Sequence, residues 1–202
     1  MSLRFGGRMG KLMIRRFFLL LALASASLAA WGRSLDVNLN NNAAAFALDV
    51  FPAGSTRFGE ARVELGFLFT SDADYVGSAG LLVVGETGSG SPGLDAGIGV
   101  RVFGGTTDED NDFVALTLSG LLNYSPPSLD RLKVGGYIDY SPEIVTFVDG
   151  EGFLRYGLRL GYEILQQAQV YVGYRKMELD AKGRGRHDDI NSGGHVGVEF
   201  YF

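Results

Sequence analysis

From residue 33 onward, apolar and polar residues alternate with period two along most of the chain. Successive side chains of a strand point to opposite faces, so this is a strand pattern. Over 33–40, Leu35, Val37 and Leu39 alternate with Asp36, Asn38 and Asn40. A tight turn near Asn41-Asn42 leads to a second run in which Ala44, Phe46, Leu48 and Val50 alternate with Ala45, Ala47 and Asp49. Phe51-Pro52-Ala53-Gly54-Ser55 predicts a turn, because proline and glycine punctuate strands. Further strands are predicted over 59–69, 75–86, 94–103, 112–124, 131–141, 153–164, 169–179 and 193–202. The facing of the fourth is left open by the continuous run Leu81-Leu82-Val83-Val84.

These are ten strands, with eight as the fallback count. Several have the length of about 9 to 11 residues that a tilted strand needs to cross a bilayer. The connections after strands five, seven (142–152) and nine (180–192) read as long and polar, and those after six and eight as short. That alternation is expected where short turns lie on one side of a membrane and long loops on the other. An even count also returns both ends of the strand array to one side.

Two faces emerge from the pattern. The apolar face is lined by residues such as Val63, Leu65, Phe67, Ile98, Val100, Leu158 and Leu160. The polar face collects Glu60, Arg62, Glu64, Asp95, Arg101, Lys133, Asp139, Arg155, Arg159, Glu163, Arg175, His195 and Glu199. In a soluble sandwich such a face is the wet outside. In a membrane barrel it lines the lumen, because a charge facing lipid at mid-bilayer costs about 2 to 4 kcal/mol. Strand length and loop order favour the second reading: an all-β, closed antiparallel transmembrane barrel. A last strand that runs apolar and ends in Phe202 suits the membrane–water interface, where aromatic rings settle.

Composition agrees. The chain has 30 glycines, 14 phenylalanines and 9 tyrosines among 202 residues. Glycine is costly in ordinary strand interiors, yet it relieves crowding and permits curvature in a small barrel. There is no cysteine, so a disulfide scaffold, a thiolate metal site and a cysteine nucleophile are excluded.

Residues 1–29 have a different character. Arg4, Arg8, Lys11, Arg15 and Arg16 precede an apolar run over 17–23 and the small residues of 24–30, the layout of a cleaved signal peptide. That run is too short for a transmembrane helix, which needs about 20 apolar residues. Arg15-Arg16-Phe17-Phe18-Leu19 also fits the twin-arginine export pattern, but paired basic residues before an apolar core are common in ordinary signal peptides. Cleavage after Ala29 leaves one domain, 30–202. It removes five basic and no acidic residues, shifting the formal charge from −5 to −10. Such acidity argues against a nucleic-acid partner.

Four stretches carry a resemblance: Leu35-Asp36-Val37-Asn38-Leu39-Asn40-Asn41, Asp74-Tyr75-Val76-Gly77, Leu81-Leu82-Val83-Val84-Gly85-Glu86 and Val196-Gly197-Val198-Glu199-Phe200-Tyr201-Phe202. Together they look like the YfaZ family of Gram-negative outer-membrane proteins. The motifs are strand patterns without chemistry, so the resemblance transfers no functional residue. It implies insertion in the cell outer membrane among lipid and lipopolysaccharide. The last strand also resembles the signal read by the barrel-assembly machinery, with Val196, Val198, Phe200 and Phe202 as its apolar positions, which implies that machinery as a transient partner.

Candidate chemistry is sparse. Gly88, Gly90 and Gly93 have the spacing of a dinucleotide fingerprint, but a strand follows them where the motif needs a helix. Asp108, Glu109, Asp110 and Asp112 form an acidic loop that lacks the glycine turn and distal glutamate of a calcium loop. A solvated loop is the expectation, with no metal and no cofactor. The basic stretch Lys182, Arg184, Arg186 and His187 is likewise read as solvated, with lipid phosphates as its alternative partner. His187 and His195 are the only histidines. The function expected is a small structural or narrow, porin-like barrel with a charge-lined, constricted lumen, and no enzymatic activity. The alternatives are a barrel-embedded hydrolase using His187 or His195, and a soluble, lipocalin-like periplasmic binding protein.

Overall fold

A computed structural model describes residues 32–56, 59–72, 74–88, 90–107, 112–148, 150–181 and 187–202. The predicted signal peptide lies outside them. The strands are β1 (Gly32–Leu39), β2 (Ala43–Thr56), β3 (Gly59–Thr70), β4 (Tyr75–Glu86), β5 (Leu94–Thr106), β6 (Asp112–Tyr124), β7 (Leu132–Ser141), β8 (Thr146–Val148), β9 (Gly150–Leu165), β10 (Ala168–Ala181) and β11 (His187–Tyr201). Each long strand pairs antiparallel with its neighbours, β5 pairs β6, and β1 pairs β11, so ten strands close into a ring. The three-residue β8 lies outside the ring, paired to the start of β6.

The closing seam has a continuous register, with Leu35 opposite Phe200, Val37 opposite Val198 and Leu39 opposite Val196. The Phe202 N–H donates to the Arg33 carbonyl at 2.9 Å, fixing the last residue beside the first strand. Both ends of the array therefore lie at one end of the barrel, here the terminal end. The opposite, distal end carries the β1–β2, β3–β4, β5–β6, β7–β9 and β10–β11 connections.

Inside and outside follow from the pleat. Along β6, Phe113, Ala115, Thr117 and Ser119 are buried, while Val114, Leu116 and Leu118 between them are exposed. Ile98, Leu118, Leu158, Val172 and Val196 are each more than half exposed, as part of an apolar outer surface that runs around the ring. Tyr75, Tyr140, Tyr156 and Tyr174 edge this surface toward the distal end, and Tyr124, Tyr162, Phe200 and Phe202 toward the terminal end. The run from Val114 to Tyr124 rises about 25 Å at about 3.3 Å per residue and a tilt of about 40°, the height of the apolar band of a membrane barrel. In β4, Val76, Leu82 and Val84 point inward and Leu81 outward.

Four expectations need correcting. The predicted turn at 51–55 is strand: β2 continues to Thr56 through register shifts on either side of Pro52. Proline has no N–H for the ladder, and a bulge lets the strand pass that position. The long connection 142–152 is partly ordered, with a 3-10 turn at Glu143–Val145, then β8, and β9 from Gly150. Most of the predicted loop 180–192 is hairpin: β11 begins at His187, and Asp180 pairs with His187. The long-short alternation of loops fails as well. The terminal-end connection 125–131 is longer than the distal-end 107–111, because strand extension consumed the polar residues that read as loop.

Turns obey local chemistry. Asn40 Oδ1 accepts from the backbone N–H groups of Asn42 and Ala43, closing β1 to β2. Gly93 has φ +80°, and a Cβ there would lie 2.1 Å from the Ser125 carbonyl oxygen, so only glycine fits this close approach.

Candidate functional site: the barrel interior

The interior is built in layers by the inward positions of all ten ring strands. At the terminal end, Arg33 pairs with Glu60, Arg62 lies 3.9 Å from Glu60, and Lys133 pairs with Glu163 at 2.5 Å. Lys133 Nζ also stands 5.2 Å from the Tyr201 ring centroid. Asp95 is half-buried near the start of β5.

The middle layer is a network of guanidinium and carboxylate groups. Arg159 reaches Glu199 at 3.3 Å and Asp36 at 3.7 Å. The Tyr171 hydroxyl donates to Asp36 Oδ1 at 2.6 Å. Arg101 bridges Glu64 at 3.0 Å and Asp139 at 3.3 Å. Asp139, 2% exposed, also accepts from the Ser119 hydroxyl at 2.5 Å and faces Arg155 at 3.5 Å. The Arg155 guanidinium lies 4.5 Å from the Tyr137 ring centroid. Arg175 donates from Nε to Asn191 Oδ1 and from Nη1 to Asn38 Oδ1, each at 3.0 Å. His195 meets Tyr171 edge to face at 5.8 Å between centroids.

Glycines make room for these groups. A Cβ on Gly197 would fall 2.3 Å from Tyr171 Cζ, one on Gly157 2.7 Å from Tyr137 Cζ, and one on Gly173 2.7 Å from His195 Nε2. Each of these three rings thus lies over a glycine on the neighbouring strand, an arrangement that curved sheets use to pack rings flat against the wall.

Toward the distal end the interior turns apolar. Leu68, Val76, Ala115, Met177, Leu179 and Ile190 enclose a stack of Phe103, Phe113 and Phe153. The Phe103 and Phe153 centroids are 4.6 Å apart, and those of Phe113 and Phe153 5.7 Å. Pattern reading missed this plug because its residues sit at inward positions of strands read by their charged members. Phe103, placed by alternation on the same face as Arg101, was the available signal.

Between plug and terminal end remains a polar chamber of about 180 Å³. Its charged lining combines Arg62, Arg101, Arg155, Arg159 and Arg175 with Asp36, Asp49, Glu64, Asp139 and Glu199. Phe103 and Phe113 are 1% exposed, whereas the Lys133 and Glu163 side chains keep 35% and 29% of their surface. The buried phenylalanines lie on the distal side of the chamber, and its lining residues Arg62 and Arg159 keep 37% and 33% of their side-chain surface, so solvent reaches it on the terminal side. Asp36, Asp49, Asn38 and Tyr171 join the interior beyond the charged set expected from the sequence.

The remaining candidates scatter. Asp108, Glu109 and Asp110 lie outside the described residues, and Asp112 is exposed at the start of β6. Lys182, Arg184 and Arg186 are also outside them. His187 belongs to β11 by backbone pairing, and its side chain is not among those described. Among the described residues, no group of three or more histidine, aspartate or glutamate side chains is placed to hold a metal.

The family model for the YfaZ precursor matches residues 9–202. No curated protein matches the chain. Among solved structures, the chain is similar to the KdgM porin at 10% identity and a TM-score of 0.45, covering 85% of this chain and 99% of that one. It is similar also to the NanC porin at 12% identity and a TM-score of 0.43, covering 85% of this chain and 98% of that one.

Proposed function

The chain belongs to the YfaZ family, and from that premise we propose that it is an integral barrel of the Gram-negative outer membrane, structural or at most narrowly porin-like. One observation carries the reading: the barrel is inverted relative to a soluble protein. Its outer wall is apolar around the ring, and its charged side chains converge inward. In water that surface would far exceed the few hundred Å² of contiguous apolar patch that soluble monomers expose. In lipid it is the solvated face. A lipocalin-like binder requires the reverse arrangement, a polar exterior around an apolar cavity.

The lumen is read as non-conducting. Ten strands enclose less space than the 16 to 18 of a water-filled porin, and here the space is occupied by paired charges and by the Phe103–Phe113–Phe153 plug. The role proposed for His195 is structural: it packs on Tyr171 and over Gly173. Biogenesis is proposed to run through the barrel-assembly machinery, reading Val196, Val198, Phe200 and Phe202, with lipid and lipopolysaccharide as the final surroundings.

Fractionation combined with gel migration of unboiled protein tests the location. Recovery in the outer-membrane fraction, with a migration shift on boiling, is expected; recovery as soluble periplasmic protein would refute the reading. In planar bilayers the purified protein should carry no steady current, and the variant Phe103→Ala/Phe113→Ala/Phe153→Ala should conduct. Large steady currents from the parent would contradict the sealed lumen.

A further inference from the structure

We infer that the polar chamber is a binding site for a small monoanion of the carboxylate class, held at Arg175. Arg175 is 4% exposed and lines the chamber. Its hydrogen-bond partners are neutral amides, Asn191 and Asn38. Its Nη2 is buried without a hydrogen-bond partner, and His195 lines the same chamber at 8% exposure. Four of the five carboxylates lining the chamber are engaged elsewhere: Asp139 by Arg101 and Arg155, Glu64 by Arg101, and Asp36 and Glu199 by Arg159; the fifth, Asp49, makes no ion pair with Arg175 and has Arg62 and Arg33 as the cations acting on it. Among the described residues Arg175 thus has hydrogen bonds but no ion pair, and Asp36, the carboxylate that acts on it from a longer distance, is held by Arg159 and Tyr171.

Amide oxygens satisfy N–H groups without neutralising a buried charge, and a buried charge left unpaired is costly. An anion entering from solvent supplies what the chain withholds. The lining as a whole has five arginines and five carboxylates, so what is unmet is local: one charge, on Arg175, without an ion pair. A dianion would set a second negative charge beside Asp36 and Asp139, where like charges repel at short range. A carboxylate matches both the charge and the planar fork of a guanidinium, which binds it through parallel N–H bonds. The volume of about 180 Å³ corresponds to about six waters at about 30 Å³ each, so a carboxylate of a few heavy atoms fits. Its route is from the terminal end, since the phenylalanine plug closes the other. The inference stands whether or not the barrel conducts.

Thermal unfolding of the refolded barrel in detergent micelles tests it, with sodium acetate compared against chloride and sulfate at matched ionic strength. Acetate should raise the melting temperature of the parent by several degrees, saturably, over both other salts, because a ligand that binds only the folded state stabilises it by mass action. Asn191→Asp places a carboxylate against Arg175 from within. It should melt higher than the parent without acetate and lose the acetate increment. Arg175→Gln should lose the increment too, and Lys133→Met, at the rim, should keep it. Migration of unboiled protein reports folding of each variant independently. No acetate-specific rise in the parent, or an undiminished rise in Asn191→Asp or Arg175→Gln, would overturn the proposal.

Discussion

Asp139 shows how much one inward residue holds. It accepts from Ser119, pairs with both Arg101 and Arg155, and is 2% exposed. Replacing it by asparagine removes the charge, leaving Arg155 without its ion-pair partner and Arg101 with Glu64 alone. Breaking a buried pair from one side costs about 3 to 5 kcal/mol. Asp139→Asn should lose stability of that order in denaturant titrations of the refolded barrel, and a loss below about 1 kcal/mol would mean that water reaches this layer. Glycine positions separate by the same logic. At Gly197 an added Cβ meets Tyr171 at 2.3 Å, whereas at Gly120 the nearest atom is Ile138 Cγ2 at 3.6 Å. Gly197→Ala should destabilise by about 1 to 3 kcal/mol through overpacking, and Gly120→Ala should be close to neutral. Equal costs would show that the tyrosine-over-glycine contact is not what the position requires.

At the scale of the strand, period-two alternation was legible almost throughout, since one face meets an apolar surrounding and the other a filled interior. It placed the ten ring strands and the β1–β11 seam, on which Leu35, Val37 and Leu39 lie beside Val196, Val198 and Phe200. It failed where a strand carries on through residues that usually end one. Pro52 is passed by a bulge, and residues 187–192 pair back onto 176–180 as a hairpin. On that hairpin the outward positions after Tyr174 become Lys176 and Glu178, which pair with each other at 2.5 Å. The strands therefore continue past the apolar band, and composition alone cannot distinguish such an extension from a loop. Leu118, 61% exposed in the middle of β6, lies well inside the band. Leu118→Arg should cost about 2 to 4 kcal/mol in lipid, read by equilibrium unfolding in vesicles; a neutral outcome would place β6 outside the hydrocarbon.

For the whole molecule, pattern reading gave the inner charges as a set but not their pairing. Which arginine meets which carboxylate depends on register and tilt, which a single sequence does not encode visibly. The division of the lumen into an apolar distal plug and a polar chamber was also hidden. Inward phenylalanines and inward arginines satisfy the same alternation, and only the closed ring shows that they occupy different levels. An apolar face turned to lipid and a charged face turned inward define this barrel. Because the chain has no cysteine, single cysteines can be introduced along β6 at positions 114 to 119, labelled with a fluorophore, and probed with a quencher carried on the lipid acyl chains. Quenching should be strong at 114, 116 and 118 and weak at 115, 117 and 119. Uniform quenching, or the opposite phase, would contradict an apolar wall facing lipid around a charged and sealed interior.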